Sequence, residues 1–158
     1  MKKILFVCLG NICRSPMAEA IFNHHIKEKG LYSKYEADSA GTSDYHIGDL
    51  PDARTIQVLR ENEISIDHRG QQFEAKHALE FDYLIAMDTN NQSEMLKTLS
   101  LESGTENRNV DLMRDYDPIS KGDVPDPYYG GKDGFKNVYQ ILDRSIESLI
   151  HALERKSN

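Results

Sequence analysis

Four consecutive apolar residues, Ile4, Leu5, Phe6 and Val7, run straight into Cys8-Leu9-Gly10-Asn11-Ile12-Cys13-Arg14-Ser15-Pro16. No other part of the chain constrains the fold as strongly. A short apolar run without alternation suits a strand covered on both faces, as in a parallel sheet. Ser15 is a favoured N-cap residue and Pro16 fits a first helical position. A helix is therefore expected from Pro16 to Lys29, stopped by Gly30. The run from Ile4 to Leu9 is shorter than the roughly 7–15 apolar residues of a secretory leader, and no small-residue cleavage site follows. It is expected to be a buried first strand.

The same alternation continues along the chain. A strand is expected around Tyr35 to Ser39 and a loop from Gly41 to Gly48. Helical spacing over Asp52 to Asn62 turns Ile56 and Leu59 inward. Phe81 to Met87 suits a buried strand, Thr89 to Leu99 a helix and Asn109 to Met113 a short strand. Asp115 to Gly134 is rich in Asp, Pro and Gly and is expected to be loop. The last helix, Phe135 to Arg155, carries a stripe of Val138, Leu142, Leu149 and Leu153. The expectation is an α/β fold, one domain over residues 1–158, with a small parallel sheet and helices on both faces. Ligands in such folds bind beyond the carboxyl ends of the strands, where the loop from Cys8 to Ser15 lies.

Composition narrows the function. Hydrophobic residues are 39% and charged residues 28% of 158, enough for one core and unlike a disordered chain. Nineteen Lys and Arg against 26 Asp and Glu give a net charge of −7. That disfavours general nucleic-acid binding and anionic membrane surfaces. An anionic ligand would have to be drawn by a local nest of donors, which screening over about 8 Å permits. The two cysteines, Cys8 and Cys13, form no secreted disulfide framework, so a cytoplasmic location is expected.

Cys8 and Arg14 bracket a Cys-x5-Arg pair at a strand-to-helix turn. Successive backbone N–H groups there can converge on one anion. Gly10 is expected to supply unusual backbone angles, and Asn11 tolerates a left-handed conformation. Arg14 can grip two oxygens of a phosphate. The amides, the helix start and Ser15 would favour a Cys8 thiolate and so a nucleophile at neutral pH. The plain alternative is a cysteine that merely ends a buried strand. Displacing a phenoxide from phosphorus also needs a general acid. Asp126 stands between Pro125 and Pro127, which restrict its backbone, and Tyr128 and Tyr129 could wall a cleft.

The stretch Val7 to Glu19, together with Asp126-Pro127-Tyr128-Tyr129, resembles the low-molecular-weight protein tyrosine phosphatases. The likeness extends to Ser39-Ala40-Gly41-Thr42, Tyr45-His46 with Gly48, Asp52 and Arg54, His68-Arg69, and Met87-Asp88 with Asn91. It implies a four-stranded parallel sheet, no cofactor and no metal. By resemblance, Cys8 is the nucleophile, Arg14 the phosphate clamp and Asp126 the acid and then the base. Leu9, Gly10, Asn11, Ile12, Cys13 and Arg14 supply backbone amides, and Ser15 holds the thiolate. Asn11, Ser39 and His68 match a supporting network, and Ile12, Tyr45, Tyr128 and Tyr129 match cleft walls. Cys13 matches a second cysteine that forms a reversible disulfide with Cys8. Tyr45 stands where tryptophan is frequent and Gly70 where alanine is usual, which leaves the substrate wall open.

The implied partners are phosphotyrosine proteins, in bacteria including a cognate tyrosine kinase, with inorganic phosphate as product and a monomer as the default state. A phosphoarginine phosphatase of the same fold resembles relatives with threonine before the second cysteine; Ile12 favours an aromatic ester instead. Arsenate reduction needs a later cysteine, and none follows Cys13. A phosphocysteine carrier should lack Asp126 and its tyrosines. A thiol redox protein would not need Arg14.

Overall fold

The computed structural model describes residues 1–157. Ile4 to Val7 lie within strand β1 (Lys2–Cys8), where Ile4 through Val7 are fully buried. β1 sits at the centre because its neighbours pair on both edges: the sheet order is β2-β1-β3-β4, with β2 (Tyr35–Gly41), β3 (Tyr83–Ala86) and β4 (Asp111–Leu112). All three pairings are parallel.

Strand alternation sends β1 side chains to two different cores. Ile4, Phe6 and Cys8 join the larger core, beneath helices α1 (Arg14–Glu28), α2 (Ala53–Glu61) and α5 (Lys132–Lys156). Leu5 and Val7 join the smaller one, with Phe73, Phe81, Met95 and Leu99 from the side of α3 (His77–Glu80) and α4 (Thr89–Ser100). Cys8 thus ends the central strand between its two parallel neighbours, at the carboxyl edge of the sheet.

The expected elements are present with shifted ends. β2 runs on to Gly41 because it keeps pairing with β1 to the last residue, Cys8 opposite Gly41. β3 is shorter than the expected strand Phe81 to Met87, and Phe81 joins the small core outside the paired residues. α5 begins three residues before Phe135, at Lys132 after Gly131. The short helix α3 and a 3-10 turn at Met113–Tyr116 are additional.

One departure matters for the site. Ser15 does not cap α1: the helix begins at Arg14 behind Cys13. Ser15 lies inside the first turn, where its hydroxyl turns toward the sulfur of Cys8 instead of a backbone amide.

Candidate active site

The turn from Leu9 to Cys13 folds the chain back over the end of β1. Asn11 takes the left-handed conformation expected of it, with φ 57°, which points its N–H at Cys8 Sγ, 3.3 Å away. Gly10 does not show the unusual backbone angle expected of it. Its φ is not in the left-handed region; a Cβ there would lie 3.1 Å from His46 Cδ2, so glycine leaves room for the loop carrying Tyr45 and His46. Gly41 does the same from below, where a Cβ would stand 2.8 Å from the carbonyl of Leu9.

Ser15 Oγ is 3.0 Å from Cys8 Sγ. It accepts from Asn11 Nδ2 at 2.9 Å and has Ala40 O at 3.3 Å. With one hydrogen to give, the hydroxyl can serve either the carbonyl or the sulfur. An anionic sulfur, nearer and charged, is the stronger acceptor.

Asn11 is fixed by four bonds. Nδ2 also donates to Ser39 Oγ at 3.0 Å. Oδ1 accepts from Gln71 N at 3.0 Å and meets His68 Nε2 at 2.8 Å. Behind His68, Nδ1 lies 3.0 Å from Glu19 Oε1, and Glu19 also accepts from Ser39 Oγ at 2.7 Å. Burial pushes the Glu19 carboxyl upward, partly offset by His68 and Ser39. Glu19, Asp38 and His68 bring three possible metal-ligand atoms within 4.8 Å of one another. Those atoms are already engaged: Asp38 Oδ1 accepts from Ser39 N and Glu19 Oε1 from Ser39 Oγ. Among the described residues this cluster is accounted for as a hydrogen-bond network.

Arg14 is 3% exposed, and its charge is fixed from behind. One terminal nitrogen donates to Asp88 Oδ2 at 2.6 Å and to Val124 O at 3.1 Å. The other lies 3.6 Å from Asp126 Oδ2. Burial works against the guanidinium charge, but Cys8 and Asp88 outweigh it and the group is held above its ordinary range. Asp88 also caps α4 by accepting from Asn91 N at 2.7 Å. Burial and the neighbouring Asp52 push the Cys13 thiol far up, so it remains a thiol at neutral pH. Both cysteines are free and buried.

These parts border one cleft of about 240 Å3, lined by Cys8, Leu9, Gly10, Ile12, Cys13, Arg14, Tyr45, His46, Asp126, Tyr128 and Tyr129. Tyr128 and Tyr129 pack edge to face at 5.1 Å. Asn11, Ser15, Ser39 and His68 are absent from the lining and stand behind the loop. Sequence reasoning did not single out Asp88, Glu19, Gln71 or His46 as site residues. Only the topology that places β3 beside β1 brings Asp88 to Arg14. Gly70 also gains a reason: a Cβ there would strike the His46 carbonyl, so this glycine admits the 45–49 loop, which bonds to it through Gly48 N and Asp49 O.

The family model described as low molecular weight phosphotyrosine protein phosphatase matches residues 3–158. The chain belongs to that family. A Streptomyces coelicolor low molecular weight protein-tyrosine-phosphatase is 40% identical over 157 residues, covering 98% of this chain and 94% of its own. A protein tyrosine phosphatase from Entamoeba histolytica, crystallised with Hepes in its active site, superposes with a TM-score of 0.92 at 39% identity over 100% of both chains. A Drosophila arginine phosphatase superposes with a TM-score of 0.90 at 32% identity, over 97% of this chain and 98% of its own. The chain is accordingly a low molecular weight protein tyrosine phosphatase. Among the described residues no helix is long and apolar enough to cross a membrane.

Proposed function

We propose that this phosphatase acts on phosphotyrosine through a phosphocysteine on Cys8. One observation carries the assignment: the sulfur lies 3.0 Å from the Ser15 hydroxyl and accepts the Asn11 backbone N–H at 3.3 Å, on the floor of a cleft that Arg14 and Asp126 also border. The thiolate attacks phosphorus in line and the phosphorus–oxygen bond to the phenol breaks. Arg14 and the amides of residues 9–14 stabilise the equatorial oxygens. Because one terminal nitrogen of Arg14 is occupied by Asp88 and Val124, the remaining edge is the one offered to two phosphate oxygens. Asp126, in its acid form, gives its proton to the departing phenol oxygen. Ionised, it then takes a proton from water as the water attacks the phosphocysteine, releasing inorganic phosphate and the Cys8 thiolate. Starting from a thiolate and a protonated acid, the reaction should show a bell-shaped pH profile.

Tyr45, Tyr128, Tyr129 and Ile12 form the walls for an aromatic ring, which supports phosphotyrosine proteins as substrates, including in bacteria a tyrosine kinase. No cofactor or metal enters the scheme, and a single-domain monomer in the cytoplasm is the working assignment. A reversible Cys8–Cys13 disulfide belongs to the same proposal: an external oxidant such as a peroxide takes two electrons as the two thiols lose their protons, and a thiol reductant reverses it. The solved Drosophila arginine phosphatase makes phosphoarginine the competing substrate. Parallel assays on phosphotyrosine and phosphoarginine decide between them: phosphotyrosine turnover that disappears in Cys8→Ser supports the proposal, and undiminished turnover in Cys8→Ser refutes it.

A further inference from the structure

The segment that carries Asp126 is tied to the rest of the molecule by one guanidinium that the mechanism above does not use. Arg54, in the first turn of α2, donates to Gly130 O at 2.9 Å and Tyr128 O at 3.0 Å. Its guanidinium also lies over the Phe135 ring, 4.4 Å from the centroid. On its other side Nε donates to Asp52 Oδ1 and the second terminal nitrogen to Asp52 Oδ2, both at 3.0 Å. Asp52 caps α2 by accepting from Arg54 N at 2.8 Å. The backbone N–H of Asp52 donates to Ile12 O at 2.8 Å, and Thr55 Oγ1 reaches the carbonyls of Ile12 and Cys13. The start of α2 therefore holds the loop under the sulfur with one hand and the carbonyls of Tyr128 and Gly130, in the segment after Asp126, with the other.

We propose that Asp52 and Arg54 form a positioning pair that sets the distance between the Cys8 loop and the Asp126 carboxyl, and so governs proton delivery to the leaving group. The geometry favours this over a surface tether. Tyr128 N donates to Asp126 Oδ1 at 3.0 Å, so the peptide that Arg54 grips on its carbonyl side is two residues from the acid and belongs to the residue bonded to that carboxylate. Arg54 outweighs burial in holding the Asp52 carboxyl below its ordinary range, which keeps the pair charged across the working range. A lysine could not serve two carbonyls and two carboxylate oxygens at once, because it lacks the planar fork. The inference rests on the assignment of Asp126 as the acid.

The test compares kcat/KM for two aryl phosphates in the full chain. Phenyl phosphate has a poor leaving group that needs a proton; 2,4-dinitrophenyl phosphate has a good one that does not. Asp126→Ala is the reference. Lys132→Gln is the control, because it removes the Lys132–Glu61 contact joining the same two segments without touching the carbonyls of Tyr128 or Gly130. Arg54→Gln should lose about tenfold to a hundredfold on phenyl phosphate and less than about threefold on the dinitrophenyl ester. Arg54→Lys should recover only part of that loss, and Lys132→Gln should match the wild type on both. Thermal melting checks that each variant is folded. Equal losses on the two esters in folded Arg54→Gln, no loss on either, or the same selective loss in Lys132→Gln would overturn the positioning role. If Asp126→Ala itself loses equally on both esters, the acid assignment falls and takes the inference with it. A wild type that cleaves neither ester removes the phosphatase proposal as a whole.

Discussion

The two loops that meet at the cleft are built in opposite ways. The polar and reactive side chains of the loop from Cys8 to Ser15 are buried: Cys8, Asn11, Arg14 and Ser15 are all nearly inaccessible, and groups from β2, α1 and the 68–71 segment answer them. The loop from Asp126 to Gly131 is open: the Asp126 side chain is 42% exposed, Tyr129 is 94% exposed, and the named ties run to backbone carbonyls. Stabilising charge on a transferring phosphoryl group needs donors that are fixed and shielded from water before the reaction starts. Admitting a protein-borne aromatic ring and passing it a proton needs a rim that solvent and substrate can reach. In the proposed mechanism these tasks fall to a preorganised floor and an accessible wall.

The sharpest way to break that comparison is at the floor. Cys8→Ser should abolish turnover of an aryl phosphate in a steady-state assay, because a serine hydroxyl in the same nest is a far weaker nucleophile at neutral pH. Next in size, Asp126→Ala should lower kcat by about 10²–10⁴ while phosphocysteine still forms and accumulates, as seen by rapid quench. Asn11→Ala, which touches no substrate oxygen through its side chain, should lose on the order of 10² in kcat/KM; a loss no larger than that of a wall substitution such as Tyr129→Ala would mean that the floor is not preorganised by its network. The smallest effect lies away from the cleft. His25 on α1 meets Asp143 at 2.6 Å and Glu147 at 3.2 Å on α5, with Lys29 also paired to Glu147. Asp143 and then Glu147 raise its proton affinity against the effects of burial and Lys29. A raised value stabilises the fold below the ordinary histidine range, and that stability is lost as pH rises through the folded-state value. His25→Asn should therefore cost about 0.2–1 kcal/mol near pH 6 and much less at pH 9, in chemical denaturation, with activity unchanged.

Much of this was legible in the chain because local and global signals agreed. The apolar run of β1, the Cys-x5-Arg turn and the amphipathic α5 each announce themselves within a dozen or so residues. Residue type alone marked Asn11 as tolerant of the left-handed conformation it adopts. What stayed hidden depends on contacts between distant segments. Ser15 has the residue type of a cap, but the sulfur on the preceding strand competes for its hydroxyl and the helix starts at Arg14, two residues earlier than expected. Gly10 looks like a residue chosen for backbone freedom and Gly70 like a mere departure from alanine; both stand against His46, which no local pattern predicts. Asp88 reads as an ordinary N-cap until the parallel pairing of β3 with β1 turns its second oxygen toward Arg14. Arg54 carries the family likeness without a role until the structure shows it bonded to the carbonyls of Tyr128 and Gly130.

Covalent chemistry at the sulfur is tested most directly by mass analysis of the whole chain and its peptides after brief mixing with a phosphotyrosine peptide and acid quench, using wild type and Asp126→Ala. One phosphoryl group should appear on the peptide containing Cys8, transiently in the wild type and in larger amount in Asp126→Ala. Release of phosphate with Cys8 never modified, or the phosphoryl group found on another residue, would contradict the role assigned to that sulfur.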